Sequence, residues 1–159
     1  MFIFVAAVAS AQPYTVVVTA KASVDGFVNA ETKGLQDSAA DMRKAIADKK
    51  YKDVFRLVDE NPTITIEVVS RGEVETGDTT GSAHLFFGRV QTRQERDVKN
   101  NIRINVTVGG HSESFWAVNP DEPLGNAREI FWGHLAKKAV ERVAKWVRDN
   151  QTAIGSAIQ

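Results

Sequence analysis

The sequence predicts an α+β domain in which a β-α-β unit precedes an antiparallel meander, giving one mixed, twisted sheet with two helices on one face. Three observations lead to this prediction. Apolar and polar residues alternate over residues 63–69 and 102–108, as in strands that cover a core on one side. Gly109-Gly110 separates two strand-like runs, which is typical of a two-residue hairpin turn. An apolar stripe at helical spacing runs over residues 126–154.

The first half of the chain predicts a helix between strands. Tyr14–Ala20 is rich in β-branched residues and predicts the first strand. Residues 23–36 contain two glycines and show little periodicity, so they predict a loop. Asp37-Ser38 predicts the start of a helix, because Ser38 and Asp41 have the spacing of a capping box. Residues 54–58 predict a short strand or turn ahead of the next strand.

The second half predicts hairpins. Residues 77–81 predict a hairpin tip, residues 83–90 the returning strand, and the polar residues 91–101 the next turn. Both positions of a type I′ turn need a positive φ, so Gly109-Gly110 also fixes the register of its hairpin. That register pairs Ile104 with Phe115, Val106 with Glu113, Arg103 with Trp116, and Asn105 with Ser114.

The last predicted helix runs from Asn126 to about Ile154. Its apolar stripe consists of Ala127, Phe131, Leu135, Ala139, Val143, Trp146, Val147 and Ile154. Trp132 lies off this stripe, so it either widens the buried face or marks a partner surface.

Residues 1–11 predict a secretion signal, truncated at its start, followed by a single domain over residues 12–159. An apolar run over residues 2–8 precedes Ala9-Ser10-Ala11, which has the form of an A-x-A cleavage site. The run is too short to span a bilayer, which takes about 20 residues. No basic residue precedes the run, so the alternative is a buried first strand of the domain.

The charge balance and the absence of cysteine exclude some classes of partner and of chemistry. Among 159 residues, Lys plus Arg and Asp plus Glu number 20 each, so the formal net charge is zero. This balance argues against a general nucleic-acid binder, which carries a basic excess. The chain has no cysteine, which excludes disulfides, thiolate nucleophiles and a lipid anchor on cysteine. A cysteine-free exported domain indicates a bacterial envelope, so we expect a periplasmic or secreted protein with no membrane span.

Trp116 is the strongest candidate for a binding surface. The hairpin register places it on the polar face of the sheet with Arg103, Asn105 and Ser114. An aromatic side chain among polar neighbours on a sheet face is typical of a surface that binds a partner. The alternative is a cross-strand cation–π pair between Trp116 and Arg103, worth about 0.5–1 kcal/mol where exposed.

His111 and Glu113 are the candidate metal ligands. They lie two apart on a predicted strand, so their side chains point the same way. His84 or Asp121 could complete such a site. The alternative is that His111 and Glu113 are polar residues beside a hairpin turn, and that His84 and His134 are partly buried structural histidines.

Lys49, Lys50 and Lys52 form a cluster after the first predicted helix. Their charges suit the negative end of the helix dipole, so we expect a solvated helix end. The alternative is contact with a phosphate.

The order of the predicted elements and their residue patterns resemble those of a group of exported bacterial domains. The resemblance rests on the helix sequence from Asp37 to Ile46, the segment from Phe55 to Asp59, and the strand from Ile64 to Val68. These are similar to the N-terminal domain of TolB, to curli-secretion-type domains and to uncharacterised exported proteins. The resemblance implies an envelope scaffold or protein-interaction domain without catalysis, and it defines no functional residue.

Three functions are open from the sequence. The first is a non-catalytic exported domain that binds an envelope or secreted protein, or another envelope component. The second is a carrier with a small ligand between the sheet and the last helix. The third is a metal-dependent hydrolase that uses His111 and Glu113. No cofactor is predicted.

Overall fold

The computed structural model describes residues 12–22, 30–86, 89–118 and 128–157. The predicted secretion signal, residues 1–11, lies outside the described residues. The elements in chain order are β1 (Tyr14–Ala20), α1 (Ala30–Ile46), a 3₁₀ turn (Lys49–Tyr51), β2 (Phe55–Leu57), β3 (Ile64–Phe86), β4 (Arg89–Val108), β5 (His111–Val118), α2 (Arg128–Asp149) and α3 (Gln151–Ala157).

The five strands form one mixed sheet in the order β2-β1-β3-β4-β5. β1 is parallel to both β2 and β3, whereas β4 is antiparallel to both β3 and β5. α1 joins β1 to β2, so the β-α-β unit comes first and the meander follows. The predicted α+β fold is therefore confirmed, and residues 54–58 contain the short strand β2.

Both long helices pack on the same face of the sheet and against each other. Alternate residues of the central strands are buried beneath them, as the alternation over residues 63–69 predicted. The fully buried strand residues include Val16, Val18, Ile64, Ile66, Val68, Ile102, Ile104 and Val106.

α1 begins at Ala30 and not at Asp37-Ser38, so the loop predicted over residues 23–36 is wrong from Ala30 onward. Ser38 lies inside the helix, fully buried, and is not its cap. Gly34 is helical too. Glycine costs a helix interior about 1 kcal/mol relative to alanine, and the packing of α1 on the sheet outweighs that cost.

β3 and β4 continue beyond the rest of the sheet as a two-stranded ribbon. β3 runs to Phe86, which pairs with Arg89, so the hairpin tip predicted at residues 77–81 is wrong. The returning strand predicted over residues 83–90 is wrong as well, because it spans the end of β3 and the start of β4. The glycine-rich segment coincides instead with a shift in the pairing register of β3.

Residues 91–101 belong to β4, so the turn predicted there is also wrong. Among the described residues, the part of β3 beyond residue 72 pairs only with β4. This part is about 45 Å long at roughly 3.3 Å per residue. The sequence of this ribbon lacks the apolar–polar alternation of strands that cover a core on one side, so it resembles the sequence of a turn.

A bulge in β3 changes the side of the sheet that Arg71 faces. The register with β4 shifts between Val68 and Ser70, so Val69 is an extra residue on β3. Without the extra residue, strict alternation from Val68 would turn Arg71 to the polar face. With it, Arg71 pairs with Ile102, whose side chain is buried on the helix side.

On the helix side, Arg71 links α1 to α2. Its Nη1 donates to the Gly34 carbonyl at 2.8 Å and to the Ser38 hydroxyl at 3.3 Å. The guanidinium lies 4.2 Å from the centre of the Trp132 ring. Burial lowers the pKa of Arg71. Trp132 is half-buried against the core, so it widens the buried face of α2.

The β4–β5 hairpin has the predicted register. Gly109 and Gly110 have φ values of 53° and 85°, as a two-residue type I′ turn requires. The confirmed pairs are Ile104 with Phe115, Val106 with Glu113, Arg103 with Trp116, and Asn105 with Ser114.

The single helix predicted from Asn126 to Ile154 is two helices, α2 and α3. Asn150 lies between them, and its side-chain nitrogen donates to the Trp146 carbonyl at 2.8 Å. The Asn150 carbonyl then accepts the Ile154 N–H at 2.9 Å and begins α3. None of the described helices is long and apolar enough to cross a membrane.

The predicted stripe of the last helix faces the core where the structure describes it. Its buried members are Leu135, Ala139, Val143, Val147 and Ile154. Trp146 is half-buried and meets Phe115 edge-on, with ring centres 5.7 Å apart. Ala127 and the side chain of Phe131 lie outside the described part of the chain.

Candidate functional site

The candidate binding surface lies on the side of the sheet opposite the helices. Strand alternation turns one set of side chains to this side, and we call this set the open face: Thr65, Glu67, Arg103, Asn105, Thr107, Ser112, Ser114 and Trp116. None of these residues is fully buried. The open face brings together all four residues predicted from the sequence, Trp116, Arg103, Asn105 and Ser114.

Trp116 is the apolar exception on this polar surface. It and Leu57 are the exposed large apolar residues among those described, at 43% and 37% of their full accessible area. Trp116 lies on β5, the last strand of the sheet. Within the described chain, no strand covers the outer side of its indole.

Arg103 stacks on Trp116 across the hairpin. Its guanidinium lies 5.1 Å from the ring centre, which is the cation–π pair expected as the alternative explanation. The Arg103 Nε is buried and has no hydrogen-bond partner among the described residues. An unsatisfied buried donor costs roughly 1–3 kcal/mol. The cation–π pair therefore leaves part of the hydrogen-bonding capacity of Arg103 unused.

Hydrogen bonds fix the neutral side chains next to this pair. The Ser114 hydroxyl donates to the Asn105 side-chain oxygen at 2.7 Å, and the Thr107 hydroxyl donates to that of Ser112 at 3.3 Å. Such cross-strand pairs hold both partners in one rotamer. The side chains next to the indole are thus hydroxyls, one amide and one guanidinium, and the Glu67 carboxylate lies two strands away on the same open face.

His111 and Glu113 share the other face of β5, as predicted, and both are exposed. Over the described ranges, no three or more His, Cys, Asp or Glu side chains are grouped to hold a metal ion. The side chain of His84 and the whole of Asp121, the further candidate ligands, lie outside the described part. The structure therefore places two of the candidate ligands side by side, and no third ligand lies with them among the described residues.

A groove of about 650 Å³ runs between α1 and α2 on the outer surface. His134 lines it and is exposed, so the prediction that His134 is partly buried is wrong. Lys50 also lines it, and its backbone N–H donates to the Asp48 carboxylate at 3.0 Å, which caps the 3₁₀ turn. Lys49, Lys50 and Lys52 are exposed, as expected of a solvated helix end.

A second groove, beside β5, was not predicted from the sequence. It has a volume of about 320 Å³ and is lined by Ala117, Lys138, Glu141, Arg142 and Lys145. The Arg142 guanidinium, on α2, donates to the backbone carbonyl of Trp116. Lys138, Arg142 and Lys145 are spaced i, i+4 and i+7, so they form one row on the helix. This spacing is a signal in the sequence, but only the structure shows that the row lies along β5.

The fold and the site together define an α+β domain with a mixed sheet, a polar open face and an exposed tryptophan on its outermost strand. No protein-family model matches the chain, and no curated protein matches it. The functional argument therefore rests on the geometry of the open face and of the groove beside β5.

Proposed function

We propose that this chain is a non-catalytic exported domain that binds a protein, or another envelope component, through the open face around Trp116. The observation that carries the proposal is the exposed indole of Trp116, stacked under Arg103 and surrounded by neutral hydrogen-bonding side chains. Tryptophan and arginine are the residue types most often found to dominate binding energy at protein interfaces.

The exposed part of Trp116 gives a partner a substantial free energy of binding. A tryptophan buries up to about 250 Å² when it is fully covered, so an exposure of 43% leaves roughly 100 Å² to cover. At about 25 cal/mol per Å², covering that area contributes about 2.5 kcal/mol. This is the magnitude of an interface hot spot.

Two sequence features support an exported location. Residues 1–11 have the apolar run and small-residue cleavage site of a secretion signal. The sequence segments from Asp37 to Val68 resemble those of the TolB N-terminal and curli-secretion-type domains, and this resemblance implies an envelope protein. Both features favour a periplasmic or secreted protein whose partner lies in the envelope.

The two alternative functions have less support from the described residues. A metal-dependent hydrolase needs a third ligand beside His111 and Glu113. A carrier needs space between the sheet and α2, where Leu135, Ala139 and Val143 are fully buried against the sheet.

Capture from the host envelope tests the proposal. The full-length tagged chain, its Trp116→Ala variant and its Leu57→Ala variant are produced in the source organism, crosslinked in the cell and purified. Leu57 is the matched control, because it is a similarly exposed apolar residue on β2, at the opposite edge of the sheet. Mass spectrometry then compares the captured species.

We expect a species that the wild type and Leu57→Ala both capture and that Trp116→Ala loses. Identical capture by all three chains would show that the open face is not the binding surface. Equal loss in both variants would point to a general effect of removing exposed apolar area.

A further inference from the structure

The outer edge of β5 carries backbone groups that are available to a sixth strand. In a two-residue turn, the flanking residues Val108 and His111 exchange both backbone hydrogen bonds, and such pairs alternate with pairs that exchange none. Ser112, Ser114 and Trp116 are therefore in the second kind of pair. Their N–H and C=O groups point away from β4, toward the edge of the sheet.

Arg142 confirms this direction and marks where the edge meets α2. Its guanidinium donates to the carbonyl of Trp116, as expected of a carbonyl that points away from β4. Within the described residues, no strand pairs with β5 on its outer side. With respect to the described strands, Ser112 and Ser114 thus keep an open stretch of edge next to the carbonyl that Arg142 occupies.

The chemistry beside this edge is basic. The groove between β5 and α2 is lined by three cationic side chains and one carboxylate, from Lys138, Arg142, Lys145 and Glu141. Lys145 forms an ion pair with Asp149, with 2.6 Å between the nitrogen and the oxygen. The side chain of Lys145 is nevertheless 77% exposed. The row Lys138, Arg142 and Lys145 therefore places positive charge beside β5, on the side of the strand where Glu113 is an exposed carboxylate.

We propose that an extended acidic segment of a partner protein adds to the outer edge of β5 as a sixth strand, with its carboxylates directed at Lys138, Arg142 and Lys145. This inference rests on the proposed binding function and names the kind of partner. Strand addition supplies main-chain hydrogen bonds, and the flanking side chains supply selectivity. Alternate residues of the added strand lie on the open face beside Trp116 and on the helix side beside the basic row.

A second copy of this chain fits the edge less well. Continuing the sheet through two β5 strands related by a twofold axis places both α2 helices on the same face, one on each side of the new contact. Their basic rows then approach each other, and like charges in contact are destabilising. An acidic segment makes favourable contacts at the same positions.

Binding of labelled peptides to the full chain tests this inference. The probes are ten-residue peptides in which threonine alternates with glutamate, with lysine or with asparagine, and fluorescence anisotropy reports binding. Ser114→Pro removes the outward N–H without breaking a bond to β4, since proline is tolerated at such edge positions. Ser114→Ala is its control, because it loses the same hydroxyl and keeps the N–H.

A second pair of variants tests the charge and does not depend on the fold tolerating proline. Lys138→Glu changes the groove beside β5, whereas Lys137→Glu changes the neighbouring residue of α2, which lines the groove between the helices. Circular dichroism checks that each variant is folded, and sedimentation velocity reports self-association.

We expect the glutamate peptide to bind more tightly than the other two and to weaken as salt rises. Ser114→Pro should lower its affinity at least tenfold, and Lys138→Glu about threefold to fivefold. Lys137→Glu should bind within about twofold of wild type, and Ser114→Ala is the reference against which the loss in Ser114→Pro is measured.

The inference is overturned if the glutamate peptide does not bind at millimolar concentration, or if Lys137→Glu and Lys138→Glu weaken it equally. Self-association that Ser114→Pro abolishes would identify a second copy as the occupant. Capture from the envelope that depends on Trp116 but not on the Ser114 N–H would leave the proposed function standing without strand addition. If peptide binding depends on the Ser114 N–H but capture is insensitive to Trp116→Ala, strand addition at β5 stands and the open face around Trp116 is not the binding surface.

Discussion

The turn at Gly109-Gly110 allows a sharp test of how the C-terminal helix docks. Both glycines have positive φ, so alanine at either position costs about 1–2 kcal/mol in backbone strain. They differ in surroundings. A Cβ on Gly110 would have no atom within 4 Å, whereas a Cβ on Gly109 would lie 2.2 Å from the carbonyl oxygen of Ala157.

That clash involves backbone atoms, so Gly109→Ala must displace the end of α3. Full undocking would expose Ile154, which is 3% accessible, at a cost of about 1.5–3 kcal/mol. We therefore expect Gly110→Ala to lower the free energy of unfolding by about 1–2 kcal/mol. Gly109→Ala should lower it by about 2–5 kcal/mol, since the strain and part or all of the undocking cost add.

Urea unfolding followed by circular dichroism measures both values in the full chain and in a chain that lacks Ser156–Gln159. The truncation removes the Ala157 carbonyl, so the two alanine variants should become equal within about 0.5 kcal/mol. Equal destabilisation in the full chain would refute the contact between the turn and α3. A difference that survives the truncation would show that another part of the structure causes it.

Three further predictions concern the core, the link between the helices and the candidate site. Arg71→Ala should lower the free energy of unfolding by about 2–3 kcal/mol, because it removes hydrogen bonds from a charged donor and the stacking on Trp132; an effect below 0.5 kcal/mol in urea unfolding would show that the link is dispensable. Met42→Ala should cost about 2–5 kcal/mol, because Met42 is fully buried between α1 and the sheet; an unchanged melting curve would contradict that packing. Trp116→Ala should change the free energy of unfolding by no more than about 1 kcal/mol, because the residue is exposed and its pair with Arg103 is weak. A larger loss would mean that Trp116 is structural, and capture by this variant would then be measured on a damaged protein.

Local chemistry accounts for the parts of the fold that the sequence predicted well. Two adjacent glycines permit a type I′ turn, and the alternation on both sides of Gly109-Gly110 then fixes every pair in the hairpin. The placement of Trp116, Arg103, Asn105 and Ser114 on one face follows from that register alone. The candidate surface was therefore predictable to the level of individual residues.

Tertiary context accounts for the errors. Gly34 and the serine at position 38 suggested a loop and a helix start, yet both lie inside α1, where they contact Arg71. Arg71 reaches them only because Val69 is an extra residue in the bulge of β3. Neither the bulge nor the start of α1 at Ala30 has a local signature in the sequence. The contact between Arg142 and the Trp116 carbonyl has no local signature either, because it depends on where α2 crosses β5.

The two edges of the five-stranded part of the sheet are built differently, and this difference links the candidate site to its proposed occupant. β2 is only three residues long, and short edge strands are one way in which proteins prevent unwanted pairing. β5 has eight residues, and within the described chain Arg142 occupies a single carbonyl of its outer edge. A basic row along such an edge disfavours a second copy and favours an acidic strand. Trp116 and the outward backbone of Ser114 belong to the same strand, so one added segment can contact both. A partner that uses both surfaces must then lose affinity in Trp116→Ala and in Ser114→Pro, whereas a partner that uses only the open face responds to the first variant alone.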